Sequence, residues 1–288
     1  MAALPSIMQP PLQGIPMTNS KETLFQISRA VYGPVKSWRF GQSLGIDPLF
    51  VDSICSFNCY YCQLGNIEQH TMARREYVAT AKVVEDFRAV TDGKPFDVIT
   101  YSGNGEPTLA TNLGEIITAL RALSQVEQVI LTNGTTLLIP EVVDTLCQLD
   151  RVSVKLDAGS EALFQRINRP VAGVTLQSVV DGIHALKARF PGELEIQTMF
   201  SAVNLDDLDS YIELINTLRP DLLQLNTPTR PYPAEWHREN RGNHLQQFDC
   251  KVSQLKIITA EEGSRVEERI RRETGIPVIS NFPTISPG

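Results

Sequence analysis

PFDVITYSGNGEPT, Pro95 to Thr108, joins a short apolar run, Phe96 to Tyr101, directly to a loop of glycines and polar residues. A run of that length, bounded by turn-forming residues, reads as a buried strand that stops where the loop begins. The pattern recurs at Gln128 to Leu131, Arg151 to Leu156, Leu194 to Met199 and Leu222 to Leu225, and an earlier run from Ile46 through Val51 to Ile54 leads straight into CSFNCYYC. Between the runs lie helical stripes. Leu208, Tyr211, Ile212, Ile215 and Leu218 share one face of a segment opened by Asn204 or Asp206 as cap, and Leu176, Val179, Val180, Ile183 and Leu186 share another. Six strands alternating with helices predict right-handed βαβ units in an α/β fold, with a parallel sheet either open or curled toward a barrel.

In a barrel of that kind the chemistry belongs at the C-terminal ends of the strands. Those ends carry the unusual residues here: CSFNCYYC, SGNGEPT, TNG, KLDAG, QTMF and NTPTRP in turn. After about Asn226 the pattern changes to a loop, a helix expected over Val252 to Thr274 and a short strand at Pro277 to Ser280. The expected organisation is therefore a loose N-terminal arm (1–30), a core (31–231) and a C-terminal extension (232–288).

The 288 residues suit one large domain, and their composition is that of an ordinary globular protein. A formal net charge of −7 argues against a generally basic nucleic-acid binder, although a local basic face could still hold RNA. RAVYGPVKSWRFG, Arg29 to Gly41, supplies three cations without an acid, a small basic patch that is either for substrate or merely solvated. Pro5, Pro10, Pro11 and Pro16 interrupt any apolar stretch near the N-terminus, so no membrane helix is expected there and the chain is expected in the cytoplasm.

Three of the five cysteines fall within eight residues, a poor layout for disulfides and a good one for metal. Cys55, Cys59 and Cys62 could ligate three irons of a single cubane cluster and leave the fourth iron open for another ligand. Two other readings stand beside that one: zinc, with His70 as fourth ligand, or a redox pair at Cys59 and Cys62. Cys147 lies beside the stripe Val142, Val143, Leu146 and Leu149 and reads as a core residue. With only Cys147 and Cys250 left over, one cluster per chain is expected.

The CX3CX2C spacing, with Tyr61 before the last cysteine, resembles the signature of the radical S-adenosylmethionine (SAM) superfamily. SGNGEP resembles that superfamily's GGEP loop, with Asn104 in a usual glycine position. LTNG, KLDAG and RINRP fall in the expected order, so the resemblance runs from about Tyr32 to Pro231. Within the superfamily, YGPVKSWRFGQSLGID, CQLG and LNTPTRPYP look like the group similar to wyosine-synthesising enzymes.

The resemblance implies a partial TIM barrel, (β/α)6, with one [4Fe-4S] cluster on Cys55, Cys59 and Cys62. It also implies SAM chelating the open iron, and reductive cleavage to a 5′-deoxyadenosyl radical that abstracts hydrogen from a substrate. Gly103 and Gly105 would let backbone approach the bound methionine, and Glu106 would meet its ammonium group. Tyr61 would lie near the adenine, while Phe57 and Tyr60 would shield the cluster. Asn104 and Asn133 join the cofactor-binding set, Asp157 is the candidate ribose contact, and Lys155 and Arg169 are candidates for a carboxylate. Asn226, Thr227 and Arg230 are candidates for the substrate pocket. A low-potential donor such as ferredoxin or flavodoxin would supply electrons. The group suggests tRNA base modification, with a peptide or small molecule as the alternative substrate, and a non-enzymatic iron–sulfur or zinc module as the alternative of another class.

Overall fold

The run read as Phe96 to Tyr101 forms a strand over Val98–Tyr101 that is buried at every position, as a parallel strand covered on both faces must be. The computed structural model describes residues 29–50, 52–230, 232–233, 252–253 and 255–284. Nearly all of the expected N-terminal arm, Val51 and Cys250 lie outside the described residues.

The chain enters through an antiparallel hairpin, β1 (Val31–Ser37) and β2 (Gly41–Ile46). A two-residue parallel pair follows, β3 (Ile54–Cys55) and β4 (Gln69–His70). The alternating part runs α1 (Thr80–Thr91), β5 (Val98–Tyr101), α2 (Leu113–Arg121), β6 (Glu127–Thr132), α3 (Pro140–Leu146) and β7 (Arg151–Lys155). It continues with α4 (Glu161–Asn168), α5 (Leu176–Lys187), β8 (Glu193–Met199), α6 (Leu208–Leu218) and β9 (Leu222–Asn226). The short pair β10 (Tyr232–Pro233) and β11 (Val252–Ser253), then α7 (Ala260–Thr274) and β12 (Val278–Ser280), complete the described chain. The main sheet has the order β1-β2-β5-β6-β7-β8-β9-β12 and is parallel from β2 onward. It curls into a half-barrel, the partial TIM barrel expected from the sequence, and the short strand read at Pro277 to Ser280 joins it as β12, a seventh parallel strand beside β9.

The apolar core lies between the sheet and its outer helices, not inside the barrel. Ile99, Ile130, Val152, Ile196 and Leu223 pack there with Val83, Ile116, Val143, Val179 and Ile212 from the helices, every one of them at most 4 % exposed. At about 1.5–3 kcal/mol for each large aliphatic side chain, this layer is the main source of stability. The inner face is polar instead. Ser43, Thr100, Ser153, Glu195 and Gln224 are buried, with Ser43 and Thr100 hydrogen-bonded at 2.7 Å and Gln224 Nε2 donating to Glu195 Oε2 at 2.5 Å. Arg151 meets Glu127, Glu193 and Glu195 at 2.7, 3.2 and 3.4 Å.

Three local expectations are corrected. Ile46 to Ile54 is not one strand: β2 stops at Ile46, where Asp47 Oδ1 accepts the amides of Leu49 and Phe50, both at 3.1 Å, and so folds the chain into a turn. The C-terminal helix starts at Ala260 and not Val252, because Thr259 and Glu262 form a capping box. Asn204 does not cap α6; its amide donates to the carbonyls of Asp157 and Met199 at 2.8 and 3.0 Å and ties two strand ends together. Among the described residues, no helix is long and apolar enough to cross a membrane.

Candidate functional site

The cysteine loop is held from two sides. Its backbone docks on the turn after α4: Asn58 N–H lies 3.0 and 3.1 Å from the carbonyls of Asn168 and Arg169, Tyr60 N–H donates to Ile167 O at 3.1 Å, and Val171 N–H donates to Ser56 O at 2.9 Å. Phe57 is buried edge-on against Phe164 of α4, with ring centroids 5.4 Å apart. On the other side, Ser56 Oγ and Thr135 Oγ1 are 2.7 Å apart at the end of β6. Side-chain amides reach two of the sulfurs, Asn133 Nδ2 to Cys55 Sγ at 3.6 Å and Asn168 Nδ2 to Cys59 Sγ at 3.5 Å.

The SGNGEP loop is shaped by this docking. Glu106 N–H donates to Ile54 O at 2.9 Å and Ile54 N–H to Asn104 O at 2.8 Å, so the loop lies flat against β3. Gly103 and Gly105 have φ of +127° and +146°. A Cβ on Gly105 would stand 1.8 Å from Ile54 O, and one on Gly103 would stand 2.4 Å from Asp47 Cγ. Close packing against protein already demands both glycines, before any ligand is considered.

Glu106 is 1 % exposed. Its Oε1 accepts from Thr108 N at 3.1 Å, Thr108 Oγ1 at 2.6 Å and Thr132 Oγ1 at 2.7 Å, while Oε2 accepts only the Asn133 amide at 2.6 Å. Burial raises its pKa, and these hydrogen bonds pull it back down. The carboxylate is thus locked in place with lone-pair capacity left on Oε2, the arrangement that accepts one more donor.

Asp157 is the second anchor. Its Oδ1 accepts from Met199 N at 2.7 Å and pairs with Lys155 Nζ at 3.1 Å; its Oδ2 accepts from Asn168 Nδ2 at 2.7 Å and from the Tyr61 hydroxyl. Lys155 Nζ also sits 5.2 Å from the centroid of the Tyr61 ring. A buried lysine needs such a partner, and Asp157 provides it.

A cavity of about 380 Å³ opens inside the half-barrel between these anchors. The three cysteines line it together with Tyr61, Gly103, Gly105, Glu106, Asn133 and Lys155. Asn226, Thr227 and Arg230 line it as well. Asn104, Asp157 and Arg169 do not. Asn104 is fully buried behind the loop, Asp157 is wrapped by its four donors, and Arg169 adopts a left-handed conformation that ends α4 and leaves its side chain exposed. The residue before it, Asn168, reaches the site instead. The RINRP stretch offered a signal for this, since Asn168 directly follows Ile167 on the buried side of the helix.

The donor set fits an iron–sulfur cluster. Burial pushes the Cys59 thiol up to about 12 and Cys62 to about 11, with Asp157 adding to the rise at Cys59, and it pushes Cys55 well above the ordinary thiol range. Three thiolates gathered there are unfavourable unless a cationic group sits among them, which the irons of a cluster supply. Among the described residues no three His, Cys, Asp or Glu side chains gather around a point suited to one metal ion, and His70 Nε2 lies 3.2 Å from Ser56 O.

The profile of the Radical SAM superfamily matches residues 51–215. The chain belongs to the Radical SAM superfamily. This radical SAM enzyme is 42 % identical over 252 residues to a UPF0026 protein of Synechocystis sp., a match covering 86 % of this chain and 95 % of the relative. Among solved structures, TYW1 with a lysine-pyruvate adduct bound superposes with a TM-score of 0.56 at 15 % identity, over 83 % of this chain and 76 % of TYW1. SuiB of Streptococcus suis bound to S-adenosylmethionine superposes with a TM-score of 0.57 at 14 % identity, over 80 % of this chain. The match covers 48 % of SuiB, so the chain spans about half its length. These likenesses establish the radical SAM fold, and membership implies SAM and a [4Fe-4S] cluster as cofactors.

Proposed function

We propose that this chain reductively cleaves SAM at a single [4Fe-4S] cluster held by Cys55, Cys59 and Cys62, and directs the product radical at a substrate in the barrel cavity. One observation carries the reading: three half-buried thiols and the half-satisfied Glu106 carboxylate converge on one cavity. When bound, the cluster supplies the electron that splits SAM into methionine and a 5′-deoxyadenosyl radical. The chain's own residues bind and orient. Glu106 Oε2 accepts the ammonium group of SAM, Tyr61 flanks its adenine, and Lys155, held by Asp157, meets its carboxylate. Asp157 and Asn168 act by positioning, since Asp157 has no face toward the cavity.

Arg39, one of the cations considered for RNA, donates to Gln197 and Gln224 inside the barrel. That orientation and the net charge of −7 favour a small molecule or a peptide side chain over a tRNA base. A low-potential donor such as ferredoxin or flavodoxin is the electron source this chemistry calls for. Anaerobic reconstitution tests the reading: about four iron atoms per chain are expected, with an electron paramagnetic resonance spectrum that SAM perturbs. Bound zinc, or a reduced cluster indifferent to SAM, contradicts it.

A further inference from the structure

The cavity wall holds a cation without a counter-charge. Arg39 sits in the turn between β1 and β2, and Nη1 donates to Gln197 Oε1 at 2.9 Å and Gln224 Oε1 at 3.2 Å. Both partners are neutral. Its Nε is buried with no partner, and among the described residues Arg39 joins no salt bridge within 4.0 Å. Glu195, the acid that acts most on it, is already engaged by Arg151 and Gln224. The rings of Trp38 and Phe40 flank the guanidinium, with centroids 5.5 and 5.4 Å from Cζ. Burial lowers its pKa to about 10, the mark of a desolvated cation.

An uncompensated charge in such a place is costly, and proteins keep one chiefly where a partner arrives to neutralise it. Arg230, on the loop after β9, lines the same cavity and adds a second positive charge, which further lowers the pKa of Arg39. The third cation on the wall, Lys155, is already balanced by Asp157. Among the described residues, Glu106 is the one Asp or Glu that lines the cavity, and it stands at the cysteine end within its own donors.

We propose that Arg39 and Arg230 form an oxyanion subsite that receives a carboxylate or phosphate group of the substrate, with Gln197 and Gln224 fixing the Arg39 fork. This rests on the radical SAM reading of the cavity for its substrate, though not for its chemistry. Guanidinium pairs with either oxyanion through parallel N–H donors. The subsite adjoins Lys155, the residue assigned to the carboxylate of SAM, since Lys155 and Gln197 pair across β7 and β8, but its cations are different ones and Lys155 is already balanced by Asp157. Gln197 and Gln224 stand on β8 and β9, whereas Glu106 and the amides reaching the cysteine sulfurs stand at the ends of β5, β6 and α4.

The test measures thermal unfolding of the reconstituted, SAM-saturated protein in increasing inorganic phosphate or acetate, against chloride at equal ionic strength. An upward shift growing with the logarithm of anion concentration is expected with one of the two, which identifies the group recognised. The shift should be lost in Arg39→Gln and reduced in Arg230→Gln. No upward shift with either anion, or an equal shift in wild type and both variants, overturns the proposal. Should Arg39→Gln fail to fold, Arg230→Gln decides, because its side chain is exposed; an undiminished shift there is the overturning result. Nucleoside release by wild type, measured in parallel, reports on the radical reading alone, so the two can fail separately.

Discussion

Replacing Asp157 by asparagine tests the anchor that joins the cysteine loop to the barrel. All four partners of the carboxylate donate to it: Met199 N, Lys155 Nζ, Asn168 Nδ2 and the Tyr61 hydroxyl. An amide turned either way presents its NH2 to two of them. On the Oδ1 side these are an ammonium and a backbone N–H, which cannot accept; on the Oδ2 side Tyr61 can reverse its role, and Asn168 can do so only by flipping its amide, which gives up its contact with Cys59 Sγ. Lys155 also loses its counter-charge in a place where its side chain is 17 % exposed. Breaking a buried pair by removing one partner costs about 3–5 kcal/mol. In a chain of this length that is a fall in Tm of roughly 5–8 °C. Calorimetry of the anaerobic apoprotein measures it. The isosteric variant keeps the volume, so packing contributes little to the change. A fall below about 2 °C, equivalent to roughly 1 kcal/mol, would refute the anchor, because two donors cannot lose their acceptor, and Lys155 its counter-charge, so cheaply.

Gly105→Ala should abolish cluster incorporation, measured as iron per chain, because its Cβ would lie 1.8 Å from Ile54 O immediately before Cys55; normal iron content would show that β3 can shift. Glu195 has its pKa raised to about 7 by burial. With the folded value above the unfolded one, its stabilising contribution is full below about pH 4.5 and lost as pH rises through about 7. Wild type should therefore lose up to about 3 kcal/mol between pH 5 and pH 8 that Glu195→Gln does not lose, and urea unfolding with parallel pH profiles for the two would contradict this.

The strands were legible because their signal is local: an apolar run and an abrupt polar end, as in Val98–Tyr101 before SGNGEP. The order of these ends by itself gathers Cys55, Glu106, Asn133 and Lys155 at one rim, and they line one cavity. What escaped depends on contacts between segments far apart in sequence. Arg39 reads as part of an exposed basic patch until the hairpin turn carries it 158 residues across to Gln197. Arg169 reads as a carboxylate partner by its charge, yet the left-handed end of α4 turns it outward and the neighbouring Asn168 inward. The polar barrel interior did leave a trace: Glu193, Glu195 and Gln197 alternate along β8, a period of two inside a strand otherwise read as apolar.

The decisive measurement is 5′-deoxyadenosine released when the reconstituted protein is reduced in the presence of SAM, with wild type beside Cys59→Ala. Nucleoside from wild type and none from the variant is the predicted result. No nucleoside from wild type carrying a full, reduced cluster, or equal amounts from both, would contradict radical chemistry at Cys55, Cys59 and Cys62.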